Sequence, residues 1–366
     1  MILKFNKVEA VDSESRFVLK RTNLGSKELL NRKFAVNNQI FFYEKKRLAE
    51  NKEVFSNTPY QTCHIFKDKY IGWDYTEIHE ARAHADNQNR ILIPFHQRSI
   101  TEWEKLDWDS AETSFMNLAT QGIQIVPYPI PYKANVTDWE AQKEIAKKKI
   151  LPSQEIMLVL STRHNEDTFQ EFIRGEIKKS NLIGIQLYPS ITPVDFLNLS
   201  RLRAINSSLK PNDICSLFVG FNAHRRIVKF DSVSSAFAYA SFGIDVFSPY
   251  QMSQAMMKAM LQSNKAKAEE MLGWLYDKTQ GGYSTNPDQE AWHGVGLIDL
   301  LKSKVTIDEE LNKYQAIIWY STLFEQQDFD ELNGKILAKD DIMDFIKNEK
   351  SKWAVFWDKY GSTAVI

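Results

Sequence analysis

An α/β fold built as a closed (β/α) barrel of the TIM type is the architecture this sequence predicts, and three observations carry it. Short apolar runs recur at residues 91–96, 123–127, 156–162, 183–188, 214–221 and 244–247. Strands covered by helices on both faces read as continuous apolar runs of this kind rather than as alternating ones. Charged, amphipathic stretches of helical period separate them, as in residues 139–149, so strand and helix alternate along the chain. Finally, no G-x-G-x-x-G follows any of the runs, which favours the barrel over a dinucleotide-binding sheet.

Taken in order, residues 1–73 read as a mixed N-terminal extension. Arg16-Phe17-Val18-Leu19-Lys20 alternates, Gln39-Ile40-Phe41-Phe42-Tyr43 is an aromatic run, and turn-formers at Asn23-Leu24-Gly25-Ser26 separate them. Short strands and a helix near residues 27–33 are expected, with further strand-like runs at 64–66 and 70–73. Residues 74–262 are assigned to the barrel, with helices at 76–84, 110–120, 139–149, 168–178 and 196–205. Another helix, capped by Asp231 or Ser232, passes through Phe237, Tyr239 and Phe242 and is closed by Gly243. Residues 263–366 are expected to form a C-terminal helical subdomain. A long helix over 252–275 leads into it, a loop follows at 281–287, and helices follow at 297–301, 309–324, 340–346 and 352–360.

Composition bounds the class of protein. With 366 residues, 43% of them hydrophobic, the chain can bury one large core or two moderate ones. No apolar run approaches the roughly 20 residues of a spanning helix, and the first residues lack the apolar core of a signal peptide, so a cytoplasmic protein without a membrane partner is expected. A formal net charge of -1 gives no whole-molecule attraction for nucleic acid, which leaves that task to local basic groups such as Arg201, Arg203, Arg225, Arg226 and Lys229. Lys147-Lys148-Lys149 lies beside Glu144 and reads as a solvated helix face.

The candidate site follows from position. Ligands of parallel α/β folds sit beyond the carboxyl ends of the strands. Those ends carry His96, Arg163, His164, Tyr188, Asn222, His224, Arg225 and Ser248, which are assigned to substrate binding. Asp245 is costly to bury in an apolar run without a partner and is assigned as nucleophile or general base, with Asp74 as its partner across the mouth. No metal and no cofactor are expected. Cys63 and Cys215 have no metal spacing, the H-x-H that opens metal-dependent hydrolase barrels is absent, and His79 and His84 stand five apart, off one helical face. Ser161 and Ser248 both lie outside a G-x-S-x-G elbow.

Gly243-Ile244-Asp245-Val246-Phe247-Ser248, late in the βα series, resembles the G-[IV]-D-x-[FV]-D motif of the tRNA-guanine transglycosylase superfamily, whose barrels include relatives that modify DNA. The resemblance implies exchange of guanine or a deazaguanine in nucleic acid. Ser248 stands where the superfamily has its nucleophilic aspartate, no Asp-Ser-Gly-Gly stretch is present, and two cysteines cannot supply its three-cysteine zinc site. The leading expectation is therefore an enzyme acting on a nucleobase or nucleotide. The alternatives are a barrel enzyme for another small polar substrate and a non-catalytic, barrel-based binding protein. Oligomeric state is left open.

Overall fold

The computed structural model describes residues 6–24, 27–37, 58–68, 72–188, 190–224, 226–227, 232–251, 259, 262, 273–287, 292 and 307–361. Its centre is a set of parallel strands: β1 (Lys33–Phe34), β2 (Tyr60–Ile65), β3 (Ile91–His96), β4 (Ile125–Pro129), β5 (Glu155–Ser161), β6 (Leu182–Gln186), β7 (Leu217–Ala223) and β8 (Val246–Pro249). Six of them form one sheet in the order β1-β8-β7-β6-β5-β4, every pair parallel. Strands β4 to β8 are neighbours in chain order, as the apolar runs led one to expect.

The closed barrel expected from the sequence is not what the hydrogen bonds draw. Strand β3 lies outside the six-stranded sheet and pairs in parallel with β2, and among the described residues no ladder joins β3 to β4. The two ladders meet on their other side. Val36, just beyond β1, donates its N–H to Tyr60 O at 3.0 Å and accepts from Thr62 N–H at 2.8 Å. The parallel strands therefore reach back across the expected boundary at residue 73 and draw β1 and β2 from the N-terminal region. The remainder of that region is antiparallel, Val18–Leu24 pairing with Asn6–Val11 and with Lys27–Leu30. A helix near 27–33 was expected there. Lys27–Leu30 instead completes a hairpin, where cross-strand pairing outweighs a helical propensity that is weak over so few residues. The runs at 39–43 and 297–301, and residues 252–258, 260–261 and 263–272 of the helix expected over 252–275, lie outside the described residues, and Leu275, expected to end that helix, instead opens a strand.

Helices separate the strands where the sequence places them: α1 (Ile78–Asn87), α2 (Trp108–Ala119), α3 (Val136–Lys147), α4 (Glu166–Glu176), α5 (Pro193–Ser207) and α6 (Ser235–Ser241). Side-chain caps start most of them. Asp107, Asn135 and Asn165 each accept a backbone N–H of the first turn, and Thr192 forms a reciprocal capping box with Asp195 ahead of Pro193. Each satisfies donors that helix geometry leaves unpaired, which fixes where helix begins and strand-end loop stops.

Between sheet and ladder the interior is filled by rings. Phe95 of β3 stacks on Phe221 of β7 with centroids 4.1 Å apart and planes 3° from parallel. The helix Ile307–Ala338 then covers the β1 edge. Phe329 stacks on Phe247 at 5.3 Å, while Gln326 Oε1 accepts the Phe34 N–H at 2.8 Å and its Nε2 donates to Arg32 O. An edge strand of two residues is thus paired on its outer side by a helix-borne amide. The tract expected to be a loop at 281–287 contains the strand Gly282–Ser284, which pairs with Leu275–Asp277 as a hairpin. Among the described residues no helix is long and apolar enough to cross a membrane.

Candidate functional site at the strand carboxyl ends

Strand β2 is buried at all six positions although its sequence, Tyr-Gln-Thr-Cys-His-Ile, is half polar. Side chains two apart share a face, so Thr62 and His64 point the same way, and that face meets Ser248 of β8. His64 Nε2 lies 2.7 Å from Ser248 Oγ, Thr62 Oγ1 lies 2.8 Å from the same oxygen, and His64 Nδ1 lies 3.1 Å from Gln97 Oε1. The Gln97 carbonyl can only accept, so Nδ1 carries the hydrogen and Nε2 is left as the acceptor for the Ser248 hydroxyl. Burial pushes the His64 pKa down to about 4, partly offset by Gln97, so the ring is neutral at neutral pH.

Two further groups flank this line. Beyond β3, His96 Nε2 meets Tyr75 Oη at 2.9 Å and packs edge-on to Trp73, while the Arg98 guanidinium lies 4.8 Å over the Trp73 ring and donates to Ser114 Oγ. Beyond β4, β5 and β6, the hydroxyls of Tyr132, Ser161 and Tyr188 form a triangle with sides of 3.0, 2.9 and 3.5 Å, and Arg163 lies 4.3 Å over the Tyr188 ring. Burial raises both tyrosine pKa values, so the triangle stays protonated. His164 is a structural residue here: its Nε2 faces Ile130 O at 2.9 Å and its Nδ1 accepts the Ser161 N–H at 3.0 Å, which ties the ends of β4 and β5 together. Arg163 is engaged by Asp195, 3.5 Å from its Nε.

The end of β7 is irregular in a way that bears on binding. The β7–β8 register slips between Phe221 and Ala223, and Asn222 takes a φ of 63°. Asparagine is among the few residues that tolerate this left-handed region, and bulges of this kind re-aim a side chain at a strand end. The Asn222 side chain is buried, yet its Oδ1 has no hydrogen-bond partner, and the same holds for Gln251 Oε1 just after β8 and for His224 Nε2. Tyr250 donates its N–H to Ala223 O and lays its ring on His224, centroids 4.3 Å apart. A buried amide oxygen without a donor costs about 1–3 kcal/mol, and Asn222 and Gln251 carry two such atoms at the ends of the paired strands β7 and β8.

The two aspartates assigned to catalysis are not brought together. Asp245 precedes β8 and so sits at the amino ends of the parallel strands. Its Oδ2 lies 2.6 Å from Lys20 Nζ and accepts the Phe218 N–H at 2.9 Å, and its Oδ1 accepts from Asn31 Nδ2. Asp74 lies beyond β2 at the opposite end, donating its N–H to Phe66 O and capping the turn at Thr76. The sequence placed Asp245 within an apolar run ending near residue 247, whereas the strand begins only at Val246, so the aspartate falls at the wrong end for a shared mouth. Of the binding candidates, His96, Arg163, His164, Tyr188, Asn222, His224 and Ser248 all lie at strand carboxyl ends, and Arg225 lies outside the described residues.

His64, Thr62 and Gln251 were missed, and Gln97, in the polar strand end His96-Gln97-Arg98, was given no role. The signal for Thr62 and His64 was a short strand, β2, that carries Gln61, Thr62 and His64 although it belongs to an otherwise apolar parallel set. Among the described residues no three His, Cys, Asp or Glu side chains converge as a metal ligand set. No protein-family model matches the chain, and no curated protein matches it.

Proposed function

We propose that the protein binds a nucleobase or nucleotide at the strand carboxyl ends and acts on it there, with the parallel strands serving as the wall of a (β/α) barrel. The observation that carries this reading is the pair of buried, partnerless amide oxygens, Asn222 Oδ1 and Gln251 Oε1, beside the His224–Tyr250 stack. Guanine and the deazaguanines present adjacent N–H groups on one edge of a planar ring, which suits two acceptors. The resemblance of Gly243–Ser248 to the tRNA-guanine transglycosylase superfamily supports the same ligand class. Arg98 and Arg163 also stand just beyond strand carboxyl ends, where a guanidinium suits a phosphate.

A non-catalytic binding role is the second reading, favoured because Lys20 holds Asp245 at the far end and a serine occupies position 248. Melting temperature measured against a panel of free bases, nucleosides and nucleotides tests the ligand class, since a ligand of the folded state alone raises stability by mass action. A rise confined to purine-type bases with ring N–H donors is expected, and no rise with any base would remove the proposal. Nucleic-acid binding across a salt series adds whether phosphates are held, since such contacts give a steep slope.

A further inference from the structure

The geometry points to Ser248 as a nucleophile and His64 as the base that takes its proton, with Gln97 as the positioning residue. The three side chains stand in a line, Oγ to Nε2 at 2.7 Å and Nδ1 to Oε1 at 3.1 Å, drawn from β8, β2 and the residue after β3. An activated hydroxyl needs this arrangement: a nucleophile within hydrogen-bond reach of a base whose other ring nitrogen is fixed by a third group. Gln97 fixes the tautomer, and Thr62 Oγ1, 2.8 Å away, donates to Ser248 Oγ and directs its remaining hydrogen to the imidazole. The line lies among the same strand carboxyl ends as Asn222 and Gln251, whose buried amide oxygens have no partner.

The class of electrophile rests on the proposed nucleobase reading, whereas the reactivity of the serine does not. On a nucleoside, Ser248 Oγ bonds to the anomeric carbon as the glycosidic C–N bond breaks. The hydroxyl proton passes to His64 Nε2 and from there to the departing base nitrogen. In the return step an incoming base or water loses a proton to His64, its nitrogen or oxygen bonds to the anomeric carbon, and the C–O bond to Ser248 breaks as Oγ recovers the proton. No electrons are gained or lost overall. Because Ser248 and His64 are both buried, a reactant reaches them only by displacing what covers them.

Treatment of the full chain with a fluorophosphonate, followed by intact mass and peptide mapping, tests the serine directly. The reagent forms a P–O bond to Oγ and releases fluoride, with His64 taking the proton. One adduct on Ser248 is expected, absent in Ser248→Ala and formed about 100-fold more slowly in His64→Gln, the scale of a lost general base. Circular dichroism and a retained melting transition establish that each variant is folded, and Gln97→Met provides a milder variant that should also slow labelling. No adduct on Ser248 in the folded protein, or a rate unchanged by His64→Gln, would overturn the inference. Labelling of Ser248 without any stabilisation by nucleobases would retire the ligand proposal and leave the nucleophile, and the reverse pattern would do the opposite.

Discussion

Asp245 and Lys20, 225 positions apart in sequence, form an ion pair of 2.6 Å with both side chains out of solvent. The Lys20 ammonium also donates to Ser216 O at 3.0 Å and lies 4.5 Å over the Phe218 ring. This joins the N-terminal hairpin to the amino ends of β7 and β8. Asp245→Asn keeps the volume and removes the charge, leaving a buried ammonium uncompensated, which should cost roughly 3–5 kcal/mol. Lys20→Met should cost a comparable amount, and the double variant less than the two singles added, because each single strands the other's charge. Chemical denaturation of the three variants measures this, and additive or negligible losses would mean that the pair is not coupled.

Acid should destabilise the protein earlier than carboxylate titration alone would. Burial holds His64, His164 and His224 near pKa 4 and His96 well below its usual value, with Arg98 adding to the depression at His96. The sign follows from linkage: the unfolded chain binds these protons near pH 6.5 and the folded one does not. For His64, His164 and His224 the stabilisation is therefore fully present above pH 6.5 and falls as the pH drops towards 4, at about 1.4 kcal/mol per pH unit for each ring, and His96 acts in the same direction. Asp328, whose carboxyl burial raises, acts in the opposite sense. Denaturation midpoints at pH 7.5, 6.5 and 5.5 should fall across the series, and a flat profile would show that the histidines titrate in the folded state as they do in the unfolded chain.

Gly184 marks how tightly the strands are filled. A Cβ there would lie 2.8 Å from the Phe221 ring and 3.0 Å from Val159 Cγ2, and Phe221 cannot retreat because it stacks on Phe95. Gly184→Ala should therefore destabilise by about 1–3 kcal/mol through overpacking. An unchanged melting temperature would mean that the Phe95–Phe221 stack has room to shift.

The part of this fold legible in sequence was the part built from long apolar strands. Strands β4 to β8 announced themselves because both faces are buried, so each carries an apolar run, with polar residues confined to its ends or its carboxyl half. Strand β1 was invisible because it contributes only Lys33 and Phe34 to a ladder and depends on Gln326, nearly 300 residues away, for its outer hydrogen bond. Strand β2 was taken for part of an extension because Gln61, Thr62 and His64 break its apolar run, and those polar residues are the ones that face Ser248 and helix α1. Asp245 was singled out correctly as a buried charge in need of a partner. That partner, Lys20, carries no local signal, and an error of two residues in where β8 begins moved the aspartate from one end of the strands to the other.

Calorimetric titration of guanine or a deazaguanine into the wild-type protein and into Asn222→Gly decides whether the proposed contact of Asn222 and Gln251 with the N–H edge of a planar base is made. Glycine accepts the φ of 63° without strain, so the variant removes the amide and keeps the backbone. Saturable binding by the wild type, weakened roughly tenfold to a hundredfold in the variant, is the predicted result, matching the loss of one buried hydrogen bond. No saturable binding by the wild type, or equal affinity in both proteins, would contradict it.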